Sequence, residues 1–340
     1  MRAVEYSRPG DPDVLTLVER PDPEPGPGEV LVRVHRSGVN PTDWKSRRAG
    51  PADDQGRIDP PQVPGQDGAG DIVAAGEGVS PTRVGNRVWI WEAAWQRKHG
   101  TAQELCRVPV SQAVGLPEDA SYDLGAALGI PFLTAHRCLT VTEGGPDELG
   151  PSALAGRTVL VSGGAGAVGN AAIQLARWSD ATVISTVSSP AKAQLAVAAG
   201  AHHVVNYREQ DAAVEIRKLA PRGVDMVVEV AAAANADLDV AVIAPHATVA
   251  VYADDGRPLT VPVRPLMTPN ARWQFVLVYT APAAAKARAV SAVSVALAEG
   301  ALRVGEDAGL PLHHFPLDQA AAAHQAVEDA VVGKVLIDLD

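Results

Sequence analysis

Cysteine is nearly absent: Cys106 and Cys138 are the only two in 340 residues. That count excludes a disulfide framework and a four-cysteine zinc lobe within one chain. Long apolar runs are missing as well. Charges interrupt even the alanine-rich stretches, so no segment reaches the ~18 residues that a membrane-spanning helix needs. The opening Met1-Arg2-Ala3-Val4-Glu5-Tyr6 has no apolar stretch followed by a cleavage site, and a cytoplasmic location is the expectation. Positive charge is in deficit: 29 Lys and Arg against 40 Asp and Glu give a net charge of −11, which repels nucleic acid and anionic membrane. The expected partner is a small molecule.

What is present reads as two soluble domains. The composition is 46% hydrophobic and 20% charged, and 340 residues exceed one ordinary domain. Up to about residue 125, short β-like runs are punctuated by Gly and Pro, as in Glu29 to Val34, Gly70 to Ala75 and Asn86 to Trp91. From Thr158 the pattern becomes short apolar strands alternating with alanine-rich helices. The strands are predicted at Thr158 to Val161, Ala181 to Ser185, Val224 to Val228, Thr248 to Tyr252 and Phe275 to Tyr279. Such alternation predicts βαβ units on a parallel sheet, hence an α/β class. The final run, Lys334 to Leu339, either extends that sheet or returns to the first domain.

Val161-Ser162-Gly163-Gly164-Ala165-Gly166-Ala167-Val168-Gly169 follows directly on a strand, and Gly164, Gly166 and Gly169 have the G-x-G-x-x-G spacing. In a dinucleotide site these glycines serve the tight turn, the approach of backbone to pyrophosphate and the packing of helix on strand. The helix N-terminus then offers N–H groups to the phosphates without any lysine. A structural Gly-rich turn is the other reading. At the end of the next strand, where NAD sites place an acid for the ribose 2′-OH, the chain reads Ser185-Thr186-Val187-Ser188-Ser189-Pro190-Ala191-Lys192. Ser188, Ser189 and Lys192 suit a 2′-phosphate, which selects NADPH as cofactor, although Lys192 is equally a solvated first-turn lysine. Tyr207 either stacks on adenine or sits in a surface turn.

With these residues in view, the chain resembles the quinone oxidoreductase, or zeta-crystallin-like, branch of the zinc-independent medium-chain dehydrogenase/reductases. The resemblance spans nearly the whole length through Gly38 to Asp43, Pro64 to Gly70, Gly129 to Ala135, the glycine turn and Val205 to Glu209. It implies a GroES-like β-rich catalytic domain over 1–126 and 300–340, a Rossmann domain over 127–299, and a homodimer. It further implies that Asn40 and Thr134 contact the nicotinamide, that Ala165, Ala167 and Val168 join the glycines on the diphosphate, and that Asn235, Tyr252, Ala253 and Phe275-Val276-Leu277 line the cofactor groove. Zinc-dependent relatives carry Cys at the position of Asn40 and a His-Glu pair at Gln66-Asp67. Two of those places hold amides here, so no catalytic metal is expected.

Without a metal to polarise it, the acceptor must already be electrophilic: a quinone or an α,β-unsaturated carbonyl. An enoyl thioester, or a non-catalytic NADPH-binding role, is the rival. The branch often has a tyrosine where this chain has Lys45. That lysine is either a donor to the developing oxyanion, with a pKa tuned by burial, or a solvated helix residue. Trp89, Trp91 and Trp95 cluster, and Trp91 and Trp95 either wall a flat acceptor site or pack in the core. His136 and Cys138 are assigned to packing.

Overall fold

The computed structural model describes residues 1–339. The chain divides into two compact units, Met1–Ile130 together with the segment from Leu312 onward, and Pro131–Pro311. The first unit opens with an antiparallel pair, β1 (Arg2–Glu5) and β2 (Thr16–Glu19). The long β3 (Glu29–Val39) then pairs antiparallel with β4 (Asp67–Ala75), which pairs with β5 (Arg87–Ile90). Strand β6 (Leu105–Pro109) pairs with β3, and β7 (Ala113–Gly115) closes on β5. The β3–β4 ladder shifts register at Leu31/Val32 and Val34/Arg36. Such bulges add twist and let a sheet coil around its own core, here Val30, Val32, Val34, Ile72, Val88 and Cys106.

Between β3 and β4 lies α1 (Pro41–Ala49). It starts where it does because Pro41 occupies the first helical position, where no N–H is needed, and the Asp43 carboxylate accepts the Asn40 N–H at 2.7 Å. The boundary between the units falls within α2 (Tyr122–Leu139).

The second unit is a six-stranded parallel sheet in which β8 (Thr158–Ser162), β9 (Thr182–Val187) and β10 (His203–Asn206) run to one side, and β11 (Val224–Glu229), β12 (Ile243–Val251) and β13 (Arg272–Phe275) to the other. The order is β10-β9-β8-β11-β12-β13. Helices α3 (Ala167–Trp178), α4 (Pro190–Ala198), α5 (Ala212–Leu219), α6 (Ala232–Val242), α7 (Val263–Met267) and α8 (Ala283–Ala298) alternate with and follow the strands. Val159, Leu160 and Val161 are all fully buried, as expected of a parallel strand covered on both faces.

Leaving that unit, the chain forms β14 (Leu312–Pro316), α9 (Ala320–Glu328) and β15 (Lys334–Asp338). The last strand returns to the first unit, antiparallel to β3 and parallel to β14, with Val335, Leu336 and Ile337 buried.

Two sequence expectations differ from the structure. The strand expected at Phe275 to Tyr279 ends at Phe275, because its only neighbour, β12, ends at Val251; Val278–Thr280 is a 3-10 turn. The units divide after 130 and 311, where sequence placed the boundaries after 126 and 299. The segment past α8 stays with the parallel-sheet unit because Asn170 donates to the Ala308 carbonyl at 2.8 Å, Gln174 exchanges bonds with the Arg303 backbone, and Leu302 and Leu310 are buried.

Helix α1 is anchored by Arg47, which has no exposed surface and donates to the Gly10 carbonyl at 2.6 Å and to Glu328 of α9 at 2.9 Å. Arg48 reaches the same carboxylate. Removing one partner of a buried pair is costly, so Arg47→Met is expected to lower stability by about 3 kcal/mol in urea unfolding. A loss under about 1 kcal/mol would show that apolar packing alone holds α1.

Candidate active site

The glycine turn after β8 is built from four different constraints. Gly163 has φ +71°, a conformation that favours glycine. A Cβ added at Gly164 would lie 2.1 Å from Ser185 Oγ, and one at Gly169 would lie 2.4 Å from the Gly163 carbonyl. Both glycines are therefore demanded by packing within the chain. Gly166 is not: it is the N-cap of α3 with φ −85°, and an added Cβ would meet only the Gly163 carbonyl, at 3.5 Å. Nothing inside the chain requires the missing side chain there. The exposed Gly166 thus leaves open space at the positive end of α3, where an anionic group could approach.

All six strands being parallel, their carboxyl ends share one edge. Winding reverses between β8 and β11, and ligands of open α/β sheets bind at such a switch point. The glycine turn follows β8, Ser188 to Lys192 follow β9, Tyr207 follows β10, Asn235 lies on α6 just past β11, Tyr252 and Ala253 follow β12, and Val276 and Leu277 follow β13. Extending β9 to Val187, two residues beyond the expected end, places Ser188 directly at the edge. Ser189 caps α4 by accepting the Lys192 N–H at 3.3 Å. Tyr207, Phe275 and Leu277 are exposed, whereas Val276 is buried. Thr134 is buried in α2 within the same unit.

Sequence reasoning passed over the carboxylate that ties this edge together. Glu229, the last residue of β11, is fully buried and accepts from Ser162 Oγ at 2.7 Å, from Asn235 Nδ2 at 3.0 Å and from the Ala231 N–H. An acid directly after the apolar run Met226-Val227-Val228 was the available signal. One helical turn past Asn235, Asp239 is fully buried and neither of its oxygens has a hydrogen-bond partner among the described residues. Burial, reinforced by Glu229, pushes its pKa up to about 9, so it is protonated at neutral pH.

In the first unit, Asn40 joins a buried network. Its Nδ2 donates to Asp67 Oδ2 at 2.7 Å, and its Oδ1 accepts from the Lys334 ammonium at 2.8 Å. Lys334 also approaches Asp67 Oδ2 at 3.4 Å, and the Ile130 N–H donates to Asp67 Oδ1 at 2.8 Å. Burial disfavours charge on both partners, raising Asp67 and lowering Lys334, while their mutual attraction opposes each shift. Asp43, fully buried nearby, is raised to about 7, chiefly by burial.

These residues do not fit a zinc ion. Gln66 spends its Oε1 on the Ala94 N–H, Asn40 and Asp67 enclose an ammonium that would repel a second cation, and the donor set lacks Cys and His. Among the described residues no group of three or more His, Cys, Asp or Glu is arranged to hold a metal.

A cavity of about 650 Å³ within this unit is lined by residues including Asp43, Lys45, Gln66, Trp95 and Lys98. Lys45 is exposed on α1 with its Nζ 5.8 Å from the Trp44 ring centroid, so the buried setting considered for it is not what the structure has. Trp91 is buried just after β5, outside the cavity lining, and Trp89 is fully enclosed. His136 accepts the Leu149 N–H and is held neutral by burial, with a pKa lowered to about 4.

Comparisons with known proteins agree with this architecture. Residues 26–118 match the alcohol dehydrogenase GroES-like domain family and residues 167–295 the zinc-binding dehydrogenase family, despite the donor set just described. A quinone oxidoreductase of Lama guanicoe is 30% identical over 345 residues, covering 99% of this chain and 97% of that protein. A mycobacterial structure complexed with NADPH has a TM-score of 0.80 at 29% identity over the full length of both chains. A structure described as an NAD-dependent alcohol dehydrogenase has a TM-score of 0.84 at 28% identity, also over both full lengths. The class is thus the medium-chain dehydrogenase/reductase, a GroES-like unit with a Rossmann unit. Within it, the chain belongs to the quinone oxidoreductase family.

Asp239 gives a pH test of the Rossmann unit. Its folded pKa lies above the unfolded value of 3.8, so the unfolded chain releases this proton first and stability falls as pH rises from about 4 towards about 9. Asp239→Asn should match the parent near pH 4 and exceed it by at least about 2 kcal/mol at pH 8. Parallel stability curves for the two proteins would show that the carboxyl is not held protonated.

Proposed function

We propose that the protein is an NADPH-dependent reductase that works without a catalytic metal and transfers hydride to a quinone or an α,β-unsaturated carbonyl. The observation that carries this reading is Gly166: among the turn's glycines it alone lacks an internal reason to be glycine. Backbone N–H groups at the start of α3 would hold the diphosphate, with Glu229 keeping β8, β11 and α6 in register beneath it. Ser188 and Lys192, at a strand end with no acidic residue, favour a 2′-phosphate. When bound, NADPH supplies the hydride.

Asn40 and Thr134 would contact the nicotinamide end, as the family resemblance implies. The cavity beside α1 would receive the acceptor, with Trp95 offering an aromatic wall and Lys45 a cation for the oxygen that becomes negative. A homodimer belongs to the same proposal. It is supported by the exposed Val263 and Met267 before the edge strand β13, Phe275 at its end and Leu277 just past it.

The direct test is loss of 340 nm absorbance from NADPH against a panel of quinones, enones and enoyl thioesters, with and without chelator. Turnover with a quinone or enone, unaffected by chelator, is expected. Turnover confined to thioesters would move the assignment to enoyl reduction, and tight NADPH binding with no acceptor would favour a non-catalytic role.

Two variants separate the parts of the cofactor site. Gly166→Ala should unfold like the parent yet bind NADPH at least about tenfold more weakly, whereas Gly169→Ala should lose about 1–3 kcal/mol of stability from backbone displacement. Equal NADPH affinity in Gly166→Ala would remove the reason for placing phosphates there. Lys192→Ala should weaken NADPH about tenfold or more and NADH hardly at all, in parallel binding titrations. Equal effects on the two would remove the case for a 2′-phosphate.

A further inference from the structure

Lys334 opens β15 and lies 294 positions from Asn40 in the chain, yet its ammonium is 2.8 Å from the Asn40 amide oxygen and its side chain is 1% exposed. An ammonium can only donate and a carboxylate can only accept. Set between Lys334 and Asp67, the Asn40 amide therefore has one permitted orientation, oxygen towards Lys334 and nitrogen towards Asp67. The reversed amide would put N–H groups against the ammonium and oxygen against the carboxylate. The surroundings are shaped for this arrangement. A Cβ at Gly38 would lie 3.0 Å from Lys334 Cε and 2.2 Å from the Ala126 carbonyl, and one at Gly129 would lie 2.1 Å from Asp67 Oδ1.

Asp67 takes one of the two N–H groups on Asn40 Nδ2, and the second is given to no group among the described residues. We propose that Lys334 is a positioning residue, one that acts through Asn40 and locks its amide as a donor towards a carbonyl oxygen of cofactor or acceptor. The inference rests on the reductase reading above. It adds that the polarity of Asn40 is imposed by the C-terminal strand rather than by its own loop.

The test replaces the charged pair by a neutral one. Lys334→Met alone leaves Asp67 buried and uncompensated, and misfolding of that variant would be uninformative, so the decisive protein is the double variant Lys334→Met/Asp67→Asn. Neutral replacement of a buried ion pair preserves stability as a rule, and an unfolding midpoint close to the parent's is expected. The lock itself is read without turnover: the Asn40 side-chain amide signals in a ¹H–¹⁵N spectrum, assigned with Asn40→Asp, should move in the double variant. Unmoved signals would overturn the lock.

Its role is read in kinetics. A kcat at least about tenfold lower with the acceptor KM within about twofold is expected if the oxygen is the acceptor's, and a parallel rise in the NADPH Kd if it is the cofactor's. A folded double variant with parent kcat, KM and NADPH Kd would reduce Lys334 to a structural residue and overturn the proposal. Failure of the parent to oxidise NADPH with any acceptor would instead remove the reductase reading, and the NADPH Kd comparison would then decide the role of Lys334.

Discussion

A parallel sheet has to bring every strand's carboxyl end to one edge, and the chain can wind outward in two directions only by reversing beside its first strand. Here the reversal falls between β8 and β11, and the bond from Ser162 to Glu229, at 2.7 Å, holds those two strand ends together. The glycine turn, the hydroxyl-rich end of β9 and the head of α6 are consequences of that placement. The β8–β11 pairing brings the head of α6 to the same edge as the glycine turn and the end of β9. A fully buried carboxylate is tolerated at this point because Ser162, Ala231 and Asn235 supply donors to it.

The same rule governs the other buried charges. Asp67 has donors from Asn40, Lys334 and Ile130, and Arg47 has acceptors in Gly10 and Glu328. Asp239 has no hydrogen-bond partner among the described residues and keeps its proton instead. With 4% aromatic residues, this chain specifies its two interiors partly through buried polar groups whose orientation is fixed by chemistry. Each paired group links segments far apart in sequence, so each pair constrains topology as well as local packing.

How far the sequence could be read follows from which features are local. The strands at Thr158 and Val224 were legible because parallel strands are apolar on both faces, and the glycine turn because its spacing directly after a strand is a local pattern. The region around Asn40 was legible through the family resemblance, as a likeness of motif. Lys334 was not, because a lysine is almost never fully buried and its partner is 294 residues away. Only the return of β15 onto β3 brings the two together. Lys45, left open between a cleft cation and a solvated helix residue, is exposed on α1 at the cavity wall, a matter its position five residues after Asn40 could not decide. Trp91, for which core packing was one of the two readings, is buried just past β5.

An ammonium in the place between Asn40 and Asp67 also bears on the kind of acceptor. A zinc ion with an open coordination position would bind a carbonyl oxygen directly and polarise it. The Lys334 ammonium is enclosed by the side chains it serves, so its charge can act outward only through the Asn40 amide, as one oriented N–H donor. A single neutral donor stabilises developing negative charge far less than a bound metal does. Were hydride transferred beside Asn40, as proposed, the acceptor would need conjugation of its own to spread that charge, and this is why the proposed substrates are quinones and enones rather than simple ketones or aldehydes.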